Sequence, residues 1–177
     1  MARLILINGA PGSGKSTLAE ALADRTALTL ALDVDQIKHA LGRWDEDRTV
    51  SGLQARRLAL ALAREHLLSG HDVVIGQYLA RTEFIEALEE LARSQGVSFC
   101  EFLLVLDSPS LERRLRGRVE APSRPEHSVH NMSVGPADAE RLVESMASLR
   151  SKRPNARCID ATGSLSETLE SIISVLD

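Results

Sequence analysis

The chain has 177 residues, 44% hydrophobic and 26% charged, the balance of one globular domain that can bury its own core; bulk disorder, collagen and coiled coil are disfavoured. A formal net charge of −4 argues against a general nucleic-acid-coating role and leaves room only for a local basic patch. No apolar run approaches the roughly 20 residues of a membrane span, and Cys100 and Cys158 lack metal-ligand spacing, as expected of free thiols in a reducing cytoplasm.

The first ten residues, MARLILINGA, are too short an apolar stretch for a signal peptide. Leu4–Ile7 reads instead as a strand buried on both faces. Helical spacing follows over Lys15–Arg25, then a strand over Leu28–Leu32 and a short helix near Gln36–Leu41. Leu53–Leu68 is a long helix, Val73–Ile75 a strand, and Glu83–Arg93 a helix with Phe84, Leu88, Leu91 and Ala92 on one face. Phe99–Leu106 is the longest strand, and Ser110–Arg118 a basic helix. Residues 119–136 hold three prolines and little apolar content, which predicts a loop. A helix over Asp138–Leu149, a strand over Arg157–Ile159 and a last helix with the stripe Leu165, Leu169, Ile172, Ile173, Leu176 complete the chain. Five strands alternating with helices predict a parallel sheet covered on both faces, a single domain over residues 1–177. Ligands then bind beyond the carboxyl ends of the strands.

Gly9-Ala10-Pro11-Gly12-Ser13-Gly14-Lys15-Ser16 fits G-x-x-x-x-G-K-[ST] in full, with Thr17 beside it. Glycines permit positive φ and let backbone N–H groups converge on phosphate oxygens, and the following helix adds its positive end. Lys15 reaches the β- and γ-phosphates and the Ser16 hydroxyl can ligate Mg²⁺. A preceding strand and a following helix are the context in which this pattern binds a nucleoside triphosphate rather than forming a bare strand–helix turn.

Asp33 and Asp35 follow the second strand, and alternation points both the same way. One carboxylate suits the Mg²⁺ side and the other suits a hydroxyl proton acceptor. The plainer reading is a helix N-cap. Trp44, the single tryptophan, either stacks on a substrate ring or serves as a core or hinge residue. Arg113, Arg114, Arg116, Arg118 and Arg124 place five arginines within twelve residues. A solvated face, a nucleic-acid contact and a lid over ATP all remain open for them. Arg114 and Arg118 share one helix face, as do Arg113 and Arg116.

The phosphate loop with Asp-x-Asp seventeen residues on resembles the small P-loop kinases: shikimate and gluconate kinases, the chloramphenicol phosphotransferase group and polynucleotide kinase domains. The resemblance implies a P-loop NTPase three-layer α/β/α sandwich with a five-stranded parallel sheet in the order 2-3-1-4-5. It implies Mg²⁺·ATP as donor, Asp35 as base, Asp33 on the metal side, and an arginine-rich lid at about 113–136 in which Arg114 and Arg118 meet the phosphates. It further implies that the loop holding Thr162 and Gly163 meets adenine; the plain alternative is a connector capped by Ser164 or Ser166. Gly76 stands where many P-loop proteins carry an aspartate; shikimate-kinase-like chains also tend to have glycine there, but the three-glycine run of shikimate kinases is absent. A small residue there leaves room for a substrate, with Gln77 and Tyr78 lining it and Arg81 anchoring an anion; a packed Tyr78 and a solvated Arg81 are the alternative.

The sequence therefore predicts an ATP-dependent phosphotransferase acting on a small-molecule alcohol such as a sugar, antibiotic or nucleoside. A polynucleotide 5′-hydroxyl kinase and a non-catalytic ATP-binding switch are the alternatives. The acidic balance favours a small acceptor over a polymer.

Overall fold

A computed structural model describes residues 2–120 and 134–177. Strands β1 (Arg3–Asn8), β2 (Leu30–Leu32), β3 (Val73–Gln77), β4 (Ser98–Val105) and β5 (Arg157–Asp160) form one parallel sheet in the order β2-β3-β1-β4-β5. The helices are α1 (Lys15–Ala23), α2 (Val34–His39), α3 (Arg48–Leu68), α4 (Glu83–Gln95), α5 (Ser108–Glu120), α6 (Ala139–Lys152) and α7 (Leu165–Leu176), with a 3₁₀ turn at Pro136–Asp138. The order is the one that the resemblance implies. Arg124 and the rest of the expected lid from 121 to 133 lie outside the described residues.

β1 is the centre of the sheet because its side chains can be apolar on both faces. Leu4, Ile5, Leu6 and Ile7 are buried almost completely. Each such side chain contributes about 1.5–3 kcal/mol through the area removed from water. α1 lies over β3 and against α7, while α3 and α4 pack together across the sheet. α3 approaches closely because its buried stripe, Ala55, Ala59, Ala63 and Leu67, repeats every fourth residue and is mostly small. Among the described residues no helix is long and apolar enough to cross a membrane.

α5 runs two residues further at each end than expected, to Glu120, and three further differences bear on the chain around the site. β2 begins at Leu30, because Leu28 takes a φ of 61° and Thr29 closes a turn onto Thr26. α3 begins five residues before Leu53, at Arg48, where Asp47 caps the N–H groups of Thr49 and Val50. α2 begins at Val34 rather than Gln36, so Asp35 lies on a helix and strand alternation does not govern it. This last difference matters for the site.

Candidate active site

β1 feeds directly into the glycine loop. Gly12 and Gly14 have φ of 86° and 92°, conformations that L side chains rarely adopt. A Cβ at Gly9 would stand 2.6 Å from Ser13 Oγ, and one at Gly14 would stand 2.5 Å from Leu165 Cδ2. The loop thus uses glycine both for its turn and for close approach. Gly14 caps α1 without a side-chain hydrogen bond, which leaves first-turn N–H groups to receive an anion. Ser13 Oγ is buried and has no hydrogen-bond partner among the described residues. Cradle, bare helix start and orphaned hydroxyl all fit a bound polyphosphate.

Asp33 caps α2: its Oδ1 accepts from the N–H groups of Asp35 at 2.8 Å and Gln36 at 3.2 Å. The capping residue is therefore Asp33, and Asp35 is the second residue of the helix, in its first turn. Ser16, Asp33, Gln36 and Gly76 line one small cavity of about 20 Å³. A hydroxyl and a carboxylate in one recess form an oxygen donor set that fits magnesium, which takes few protein ligands and keeps its waters. Gln77, at the end of β3, donates from Nε2 to Asp35 Oδ2 at 3.4 Å. Asp35 and Gln77 thus meet although 42 residues separate them.

Gly76 does not make room for a substrate. A Cβ there would stand 2.7 Å from the Lys15 carbonyl oxygen and 3.1 Å from Ala19 Cβ. The missing side chain lets α1 lie against β3, and this close packing sets the position of Lys15. Asn8, at the end of β1, is fully buried, donates to the Leu79 carbonyl at 3.0 Å and accepts from the Leu79 N–H at 2.9 Å. It ties the chain beyond β3 to the start of the glycine loop. Sequence reasoning missed it; the signal was an amide closing an apolar strand immediately before Gly9.

Arg114 of α5 donates to the main-chain carbonyls of Ser13 at 3.0 Å, Ala161 at 2.6 Å and Gly163 at 2.7 Å. Burial, then the neighbouring charge of Arg113, lowers its pKa. Arg114 binds the glycine loop and the loop after β5 to one helix. Burial also lowers the pKa of Arg118, which is half-buried. Arg113 turns back to Ser110 Oγ at 3.1 Å, and Arg116 makes an exposed pair with Glu112 at 2.6 Å. The two arginine pairs therefore have different environments.

Thr162 and Gly163 are exposed beside Arg114. Asp160 Oδ1 accepts from the Thr162 N–H and hydroxyl at 2.9 and 2.7 Å, which shapes this turn. Ser164 and Glu167 form a capping box at the start of α7. Trp44 sits between α2 and α3 with its ring covered by its own chain: His39 at 4.4 Å, Lys38 at 5.4 Å and Arg48 at 5.9 Å. The Tyr78 hydroxyl turns toward α6 and meets Ser145 Oγ at 3.1 Å. Arg81 is exposed, without an ion-pair partner among the described residues.

The chain matches the AAA domain family over residues 4–134. No curated protein sequence matches it. Among solved structures it is similar to the tunicamycin resistance protein of Deinococcus radiodurans, with a TM-score of 0.66 and 19% identity over 99% of this chain and 96% of that chain. It is similar to a gluconokinase from Sinorhizobium meliloti 1021, with a TM-score of 0.61 and 19% identity over 97% and 94% of the two chains. A chain of the Pnkp1/Rnl/Hen1 RNA repair complex matches with a TM-score of 0.66 and 15% identity over 85% of this chain and 46% of that chain. At these identities the likeness is one of fold. The glycine cradle and the strand order agree with these matches: the chain belongs to the AAA domain family of P-loop proteins and has the fold of the small P-loop kinases.

Proposed function

We propose that the protein is an ATP-dependent phosphotransferase that moves the γ-phosphate to a hydroxyl of a small molecule. The observation that supports this reading is the placement at the carboxyl ends of two paired strands: β1 ends at Asn8, just before the Gly9–Ser16 loop, in register with Gln77 of β3, which is joined to Asp35. A cradle alone serves switches and motors as well. A carboxylate at the acceptor side is what hydroxyl chemistry additionally needs.

In this reading Gly9, Ala10, Pro11, Gly12, Ser13 and Gly14 hold the phosphates through their backbone, with Lys15 and Thr17 beside them. Arg114 positions that loop, and Arg118 is the lid arginine that faces the transferred charge. Thr162 and Gly163 flank the base. Ser16 and Asp33 would hold Mg²⁺, which neutralises charge on the phosphate oxygens when bound. Asp35 takes the proton of the attacking hydroxyl, and Gln77 orients Asp35. Trp44, Tyr78 and Arg81 border the acceptor side. A 5′-hydroxyl polynucleotide acceptor is the second reading, favoured by the likeness to a chain of an RNA repair complex.

The test is a transfer assay from γ-labelled ATP to a panel of sugars, sugar acids, amino alcohols, nucleosides, hydroxylated antibiotics and oligonucleotide 5′ ends. Magnesium-dependent labelling of a small alcohol supports the proposal. Labelling of oligonucleotide ends alone selects the second reading, and ATP binding without any transfer contradicts both.

A further inference from the structure

The Gln77 amide is half satisfied. Its Nε2 faces the Asp35 carboxylate, while its Oε1 is buried with no hydrogen-bond partner among the described residues. A buried acceptor without a donor is costly, and such atoms call for a partner beyond the chain. The amide cannot relieve this by turning over, because its N–H₂ group would then leave Asp35 and place an oxygen against a carboxylate. Asn8, which pairs in register with Gln77, is no donor to it, since its own amide is spent on Leu79. On the opposite face of the strand Gly76 is packed against the α1 backbone, so no donor enters from there.

Gln77 Oε1 is therefore an acceptor without a donor on the same amide that holds the Asp35 carboxylate. A carboxylate can only accept, and so can the amide oxygen. A ligand that presents its reacting hydroxyl to Asp35 and also satisfies Gln77 Oε1 must bring a second donor close to the first. Resting on the phosphotransfer reading above, we infer that the phosphate acceptor carries a second O–H or N–H donor next to its reacting hydroxyl, as a polyol or amino alcohol does, and that Gln77 Oε1 reads this donor. The reacting hydroxyl lies against Asp35 and its neighbour against Gln77. A plain monohydric alcohol leaves the amide oxygen orphaned, and a site built around such an oxygen rejects it.

The test uses matched acceptors, a vicinal diol or amino alcohol and the analogue lacking only the neighbouring donor, with γ-labelled ATP. The full-length protein and its Gln77→Met variant, which keeps side-chain length, are compared. The native protein should favour the two-donor member by on the order of 10–100-fold in kcat/KM, the range for leaving one buried polar group unpaired. In Gln77→Met the preference should fall below about 3-fold, with ATP affinity by titration still within a few-fold because the glycine cradle is untouched. Equal use of both members by the native protein, or a preference that survives in Gln77→Met, overturns the inference alone. Transfer to neither member of any pair overturns the phosphotransfer reading, and this inference with it.

Discussion

Arg114 donates to the main-chain carbonyl of Ser13 at 3.0 Å across 101 residues of sequence. The same guanidinium reaches the carbonyls of Ala161 and Gly163, so one side chain from α5 holds the glycine loop and the loop after β5 in fixed relation. Two nitrogens of its planar fork share the three acceptors, Nη1 on Ser13 and Nη2 on Ala161 and Gly163, whereas an ammonium offers all its donors from one point. α5, which leads into the expected lid, is thereby tied to both loops.

Arg114→Ala should therefore weaken ATP binding without touching a phosphate contact. A hydrogen bond from a charged group contributes about 1.5 kcal/mol at the low end, which converts to about tenfold in the dissociation constant. Arg114→Lys should restore little of it. Nucleotide titration of both variants checks this; native affinity in Arg114→Ala contradicts the positioning role.

Gly76→Ala should damage the site from beneath. Its Cβ would press on the Lys15 carbonyl, which belongs to the main chain and cannot rotate away. Overpacking of this kind costs about 1–3 kcal/mol. Gly52→Ala on α3 is the control: nothing lies within 4 Å of its Cβ, so the change should be neutral or stabilising by up to about 1 kcal/mol. Chemical denaturation of the two proteins reads both values.

Much of this site was legible in the sequence because its constraints are local. The glycine spacing from Gly9 to Gly14 needs only a strand before it and a helix after it. Asp33 and Asp35 stood out for their place after a strand, but the short reach of β2 was hidden: Leu28 and Leu30 look alike as letters, and only the turn at Thr26–Thr29 separates them. That turn, with the cap at Asp33, decides that Asp35 points from a helix. Gly76 was misjudged for a different reason. A missing side chain says that something comes close, but not whether it is a ligand or the backbone of α1. Asn8, Arg114 and Gln77 act through partners 42 to 101 residues away, and no local pattern carries that information.

The two aspartates should separate by rescue. Asp33→Asn keeps an oxygen that can cap α2, so the fold should hold, while Asp33→Ala should lose about 1 kcal/mol of stability. If Asp33 serves the metal side, its asparagine variant should recover part of its transfer rate as Mg²⁺ is raised, whereas Asp35→Asn should not. Transfer rates across a Mg²⁺ series distinguish them; equal recovery contradicts the division of roles.

Stability should fall at low pH through particular turns. The Asp107 carboxyl is held below the usual aspartate range by the N–H and hydroxyl of Ser110, and Asp160 by the N–H and hydroxyl of Thr162. A carboxyl with a depressed folded pKa adds stability above its unfolded pKa and loses it as the pH falls through the folded value. The difference in thermal midpoint between the native protein and Asp160→Ala should be present at neutral pH and vanish below the ordinary aspartate range. A difference that grows on acidification contradicts this assignment.

The central claim, that Asp35 takes the proton of an attacking hydroxyl, is tested most directly by Asp35→Asn. The cap of α2 is Asp33, so the variant should fold, and it keeps the size of the side chain. An amide cannot accept the proton. ATP affinity by titration should stay within a few-fold, and transfer from γ-labelled ATP to the best acceptor should drop by on the order of 10²–10⁴, the range for lost general-base catalysis. Transfer at the native rate by folded Asp35→Asn would contradict the account and leave the carboxylate with a structural role alone.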